Sequence, residues 1–114
     1  MPLNKELSQM LKNDTKVDQL VQMTPVTKPN DPNHLQRRQQ QRAISNDMIK
    51  IAIIYGHRQF SHGALTFTLT DRNLRTTPYY RFIDALRGLR VVCIKGLPNP
   101  QILTAYWHQK TRHK

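Results

Sequence analysis

The spacing of apolar residues changes from helical to alternating about halfway along the chain. Between residues 3 and 23, Leu3, Leu7, Met10, Leu11, Val17, Leu20 and Val21 recur at intervals of three, four and seven. That is the period of an amphipathic helix, interrupted at Asn13, Asp14 and Thr15. Residues 24–32 then hold three prolines, which predicts a linker. Asp31 is placed to cap a helix with Pro32 at its first position, so a helix is predicted over 32–43. Ser45 is placed to cap a second one, over 46–55, closed by Gly56. Met48, Ile49, Ile51, Ala52, Ile53, Ile54 and Tyr55 cover most of its circumference. A helix that apolar belongs at the centre of the core.

Past Gly56 the period falls to two. Residues 58–61 read as a short strand and His62-Gly63 as a turn. Leu65, Phe67 and Leu69 alternate with Thr66, Thr68 and Thr70, the pattern of a half-buried strand over 64–70. Thr77-Pro78 opens a short helix that stops at Gly88. Residues 89–95 are partly apolar on both faces, which predicts a central strand, and Gln101–Trp107 form the last one, with Leu103, Ala105 and Trp107 on its core face. A basic, frayed tail is expected over 108–114. The expected fold is α+β: two helices packed on an antiparallel four-stranded sheet in the order ααββαββ, preceded by a separate N-terminal amphipathic helix. Residues 1–30 are read as that helix and its linker, and 31–114 as the domain.

Charge adds a partner to this picture. The net charge is +11, and residues 31–114 carry +10 of it, with 14 Lys and Arg against Asp31, Asp47, Asp71 and Asp84. Such a field draws in polyanions, so a nucleic acid is the expected partner, RNA ahead of DNA. No apolar stretch is long enough for a transmembrane helix, and the first residues lack the pattern of a secretory signal. The lone cysteine, Cys93, sits in an apolar run and reads as a packing residue. Together these give an expectation of a cytoplasmic protein.

His34, Arg38 and Arg42 are spaced four apart and share one helix face, a stripe suited to phosphate. A solvated polar face would show the same pattern. Thr104 and Tyr106 share a face of the last strand with His108 just beyond, a set able to orient a phosphodiester or move a proton. An ordinary strand would also favour Thr and Tyr. His57 and His62 have no Cys or acidic neighbour with which to hold zinc, and no glycine-rich phosphate loop or paired catalytic carboxylates occur. No metal or cofactor is expected. A helix-turn-helix over 32–55 is excluded because its second helix is too apolar to lie in a groove.

The segments His34, Arg38, Arg42-Ala43-Ile44-Ser45, Tyr55-Gly56, Leu89 to Ile94 and Ile102-Leu103-Thr104-Ala105-Tyr106 resemble a bacterial family of small domains of unknown function, rich in cyanobacterial members. Ala43 stands where that family usually has Gly. The family is similar to the barnase–EndoU–colicin–RelE group of ribonuclease toxins. What the resemblance implies is metal-independent RNA cleavage, with His34 as acid or base, Arg38 on the phosphate, and Thr104 and Tyr106 orienting the substrate. Arg37, Arg42, Arg58, Arg72, His108 and Lys110 complete the expected nucleic-acid contacts. The alternative is a non-catalytic binding module or small subunit that meets RNA, DNA or an acidic protein through the same surface. Residues 3–23 are a candidate contact for a protein partner or a second copy of the chain.

Overall fold

A computed structural model describes residues 2–27 and 29–112. Eleven elements follow in chain order. They are α1 (Leu3–Lys12), β1 (Thr24–Pro25), α2 (His34–Gln41), α3 (Asn46–Tyr55), β2 (His57–Ser61) and β3 (Ala64–Thr68), then α4 (Asp71–Arg75), α5 (Ile83–Leu86), β4 (Leu89–Lys95), β5 (Gln101–Trp107) and α6 (Gln109–Arg112). Short 3-10 turns cover Thr15–Gln19 and Tyr80–Phe82. The class is α+β, as the two periods predicted. The sheet is different: it has five strands, ordered β1-β5-β4-β3-β2, and is mixed.

The extra strand is β1, which lies inside the expected linker and runs parallel to β5. Its proline is no obstacle. Thr24 N–H donates to Pro100 C=O at 3.0 Å and Val26 N–H to Ile102 C=O at 2.8 Å. Pro25 lies between these two donors, at the position whose N–H would face away from β5, so nothing is lost by lacking one. The remaining pairs, β2–β3, β3–β4 and β4–β5, are antiparallel. His62 and Gly63 both take positive φ, as a two-residue hairpin turn between β2 and β3 requires.

α3 follows its predicted limits. Ser45 Oγ accepts from Met48 N–H at 3.2 Å, which caps the helix. The helix lies against β3 and β4, burying Met48, Ile49, Ile51, Ala52 and Ile53. Gly56 closes it for a reason other than left-handed backbone: a Cβ there would sit 2.4 Å from Ala52 O and 3.1 Å from Thr68 N. α2 is shorter than expected and starts at His34. Asp31 does not cap it; its carboxylate pairs instead with Arg37 and His34.

The N-terminal helix is not separate. Leu7 is 0% exposed and Leu11 8%, and both belong to the core that also contains Ile49, Leu74 and Leu86. Asp14, at the break in the apolar pattern, ties this segment down. Its Oδ2 accepts from Tyr55 Oη at 2.7 Å and Tyr79 Oη at 2.9 Å, and its Oδ1 accepts from Lys16 N–H at 3.0 Å. Burial, reinforced by this carboxylate, pushes both phenol pKa values up, so both stay protonated donors. Residues 71–75 form a helix not foreseen in the sequence, with Thr70 Oγ1 accepting from Asn73 N–H at 3.1 Å. At the other end, Gln109–Arg112 make a helical turn where fraying was expected. His113 and Lys114 lie outside the described residues.

Candidate nucleic-acid interface

Cross-strand register sorts the side chains of the sheet into two sets. Leu89, Val91 and Cys93 of β4 stand with Phe67 and Leu65 of β3 and with Ala105, Ile102 and Trp107 of β5. This is the core face. Cys93 is fully buried there, and burial raises its thiol pKa to about 12, so it is an inert packing residue.

One assignment on β5 changes. Strict alternation puts Ile102 with Thr104 and Tyr106, and Leu103 with the core. The β4–β5 register shifts between the Val92–Thr104 and Cys93–Ile102 pairs, so Leu103 has no partner and Ile102 turns inward, 2% exposed. A bulge has this effect because one extra residue reverses the alternation beyond it. Thr104 and Tyr106 keep their predicted face.

That opposite face carries a continuous row. His57 pairs with Thr68, Thr68 with Arg90, and Arg90 with Tyr106, crossing four strands. The next row is Gln59, Thr66, Val92 and Thr104. Apart from Thr68, each of these side chains keeps solvent access. Arg90 Nε donates to Thr68 Oγ1 at 2.8 Å, which fixes the guanidinium and leaves its terminal nitrogens without a protein partner among the described residues. None of the seven carboxylates of the chain lies on a strand, whereas Arg58, Arg90 and Lys95 do. His108 follows at the end of β5. Partial burial and the nearby charges of Arg90 and Lys110 lower its pKa, so the ring is neutral at pH 7. Its Nδ1 is 2.8 Å from Thr111 Oγ1, which leaves Nε2 for other contacts.

The expected catalytic set is only partly assembled. His34 sits 3.6 Å from the Asp31 carboxylate. The Arg37 guanidinium beside that carboxylate holds its pKa below the ordinary range. Among the described residues, no hydrogen bond or ion pair joins His34 or Arg38 to Thr104 or Tyr106. The side chain that hydrogen-bonds β5 from this end of the molecule is that of Arg42, just past the end of α2, eight positions and roughly 12 Å beyond His34. Arg42 Nη1 donates to Ala105 C=O at 2.8 Å and lies 3.5 Å from Thr104 Oγ1, while Trp107 Nε1 donates to Arg42 C=O at 2.8 Å. Where β1 ends, Arg42 takes over the outer edge of β5, satisfying a strand carbonyl as a neighbouring strand would. Of the other expected contacts, Arg58 is exposed on the edge strand β2 and Arg72 is exposed on α4.

Arg90 is the residue that the sequence reading overlooked. It lies in an apolar run, and its role becomes visible only when Tyr106 and Thr68 are seen to be its cross-strand neighbours. A cleft of about 540 Å³ between α2, α3 and β1 is lined by amides such as Gln36 and Gln40 together with Leu35 and Ile49, and by no ionisable group among the described residues. Among the described residues there is no cluster of metal-ligating side chains, and no helix is long and apolar enough to cross a membrane. Comparison with protein-family models, curated proteins and solved structures finds no match to this chain.

Proposed function

We propose that this protein is an RNA-binding domain that takes a single strand across the solvent-accessible face of its sheet. The observation that carries the reading is the row His57–Thr68–Arg90–Tyr106, in which a fixed guanidinium stands directly beside a phenol ring. Arg supplies fork-shaped donors to phosphate, and the phenol offers a stacking surface for a base. Lys95 and Lys110 extend the basic character towards the strand ends, with no carboxylate on any strand to oppose it. A flat sheet face suits splayed, unpaired bases better than a duplex groove, and the most apolar helix, α3, is buried and unavailable as a reading helix.

The test is binding of a single-stranded RNA pool across a salt series. Affinity should fall steeply with salt, by counterion release, and Arg90→Ala should weaken binding by about tenfold. Binding that is absent at low salt, or indifferent to Arg90, contradicts the reading.

Metal-independent RNA cleavage is a second reading, favoured by His108 rather than His34. A neutral imidazole close to Arg90 and anchored through Nδ1 to Thr111 is suited to take a proton from a ribose hydroxyl. Arg90 would hold the phosphate, and Tyr106 and Thr104 would orient the strand. Cleavage in chelator should then fall about a hundredfold or more in His108→Ala and persist in His34→Ala. An RNA that is bound but never cut leaves the protein a binding module.

A further inference from the structure

A second cleft, of about 540 Å³, opens beside the Thr15–Gln19 turn, the end of α3 and α4. Lys16, Arg72 and the imidazole of His57 line it, together with Tyr55, Asn73 and Thr76, and among the described residues no carboxylate does. Of the acidic residues close in sequence, Asp14 and Asp71 are already engaged, and the exposed Asp18 is not among the residues that line the cleft. Asp14 accepts from two phenols and a backbone N–H, as described above. Asp71, next to Arg72, is gripped by Arg87, with Nε–Oδ1 at 2.6 Å and Nη2–Oδ2 at 3.2 Å. Arg72 and Lys16 are left with no ion-pair partner among the described residues. Lys16 Nζ is 5.5 Å from the centroid of the Tyr55 ring, which places the ammonium against the cleft wall. Asn73 Oδ1 accepts from Thr70 Oγ1 at 2.6 Å, so the side-chain amide nitrogen remains the free donor.

We propose that this cleft is a binding site for the phosphate group of a ribonucleotide. Arg72 and Lys16 supply the charge, and Asn73 and Thr76 supply neutral donors. Tyr55 and Ile54 give an apolar wall for the rest of the ligand, and the volume is that of a small-molecule site. A cleft with two unpaired cations, Arg72 and Lys16, and no lining carboxylate among the described residues favours a multiply charged anion over a neutral ligand, because each cation gains a partner when the anion enters. The phosphate has two sources, a free mononucleotide or the 5′ end of an RNA chain. The inference does not depend on RNA lying across the sheet.

Calorimetry or NMR titration tests it with a 5′-mononucleotide, the matching nucleoside, and a short RNA with and without a 5′-phosphate. The mononucleotide should bind where the nucleoside does not, or the RNA should bind more tightly with its 5′-phosphate than without it, and the ligand that does so identifies the source. Arg72→Ala and Lys16→Ala should each weaken that binding about tenfold. Both residues are exposed, so the fold should be unaffected. Arg75→Ala, on the same helix but outside the cleft, should leave it unchanged. The proposal is overturned if nucleoside binds as well as nucleotide, or if no phosphorylated ligand binds at millimolar concentration. It is equally overturned if Arg75→Ala costs as much as Arg72→Ala, since that would be the general field of the protein. Loss of RNA binding in Arg90→Ala with nucleotide binding intact would bear on the sheet alone.

Discussion

The two faces of the sheet are made from alternate residues of the same strands, yet they do different work. On one face Phe67, Leu89, Val91, Cys93 and Ala105 are buried, with α3 packed on β3 and β4 and α2 on β5. On the other, Thr66, Arg90, Thr104 and Tyr106 stay partly open to solvent. Stability comes from the covered face, where apolar area is removed from water and each side chain is held by its neighbours. The open face has hydroxyls, a guanidinium and a phenol at fixed spacing, on backbone that its own ladder already satisfies. A substitution on the first face should therefore unfold the protein, and one on the second should change what it binds.

The largest effect is expected at Leu7, which extends the covered side of the molecule into the N-terminal helix. Leu7→Ala should cost about 3 kcal/mol in chemical denaturation, the usual range for a buried leucine that leaves a cavity. A change below about 0.5 kcal/mol would return α1 to the status of a detachable segment.

Asp14→Ala comes next, at about 2 kcal/mol, because it strips two phenol hydroxyls of their acceptor, one of them on the fully buried Tyr79. The same contact has a pH signature. Both tyrosines titrate above their ordinary value in the folded state, so their contribution is fully present below about pH 10 and is lost as pH rises past it. The denaturation midpoint should hold from pH 7 to 9 and fall by pH 11. A Tyr79→Phe variant should fall less over that interval.

Ala43 sharpens the comparison from outside the sheet. It is a non-glycine residue with φ of 54°, in the turn between α2 and α3. Ala43→Gly should relieve the left-handed strain and raise stability by about 1 kcal/mol, read from the thermal midpoint. An unchanged or lower midpoint would mean that the loss of chain entropy outweighs the strain.

Much of the covered face was legible in the sequence. The apolar circumference of residues 46–55 identified the central helix, alternation identified β3 and the faces of β5, and a run partly apolar on both faces identified β4. The misreadings share one cause, that long-range partners cannot be seen locally. Thr24-Pro25 looked like linker because only the neighbouring β5 makes it a strand. Asp14 looked like a helix breaker because its tyrosines lie 41 and 65 residues away. Ile102 was placed on the wrong face because a bulge leaves no mark in an alternating pattern. At the candidate site, Thr104 and Tyr106 were found from their spacing, whereas Arg90 needed the β4–β5 register to be noticed. Arg42 was read as a phosphate ligand on its helix stripe, and its donation to the Ala105 carbonyl gives it a role in closing the sheet edge instead.

The smallest stability effects belong to the open face. Tyr106→Ala should stay within about 0.5 kcal/mol of wild type, and Arg90→Ala within about 1 kcal/mol because it removes the partner of the buried Thr68 hydroxyl. Equilibrium denaturation of the two variants checks this before any binding is compared.

The most direct test of the division between the two faces is a methyl NMR spectrum recorded during titration with single-stranded RNA. The account predicts that the methyl signals of Thr66, Val92 and Thr104 move with added RNA while those of Val91, Leu89 and Ile49, across the same sheet, stay in place. Shifts confined to α2, or equal on both faces, would contradict it.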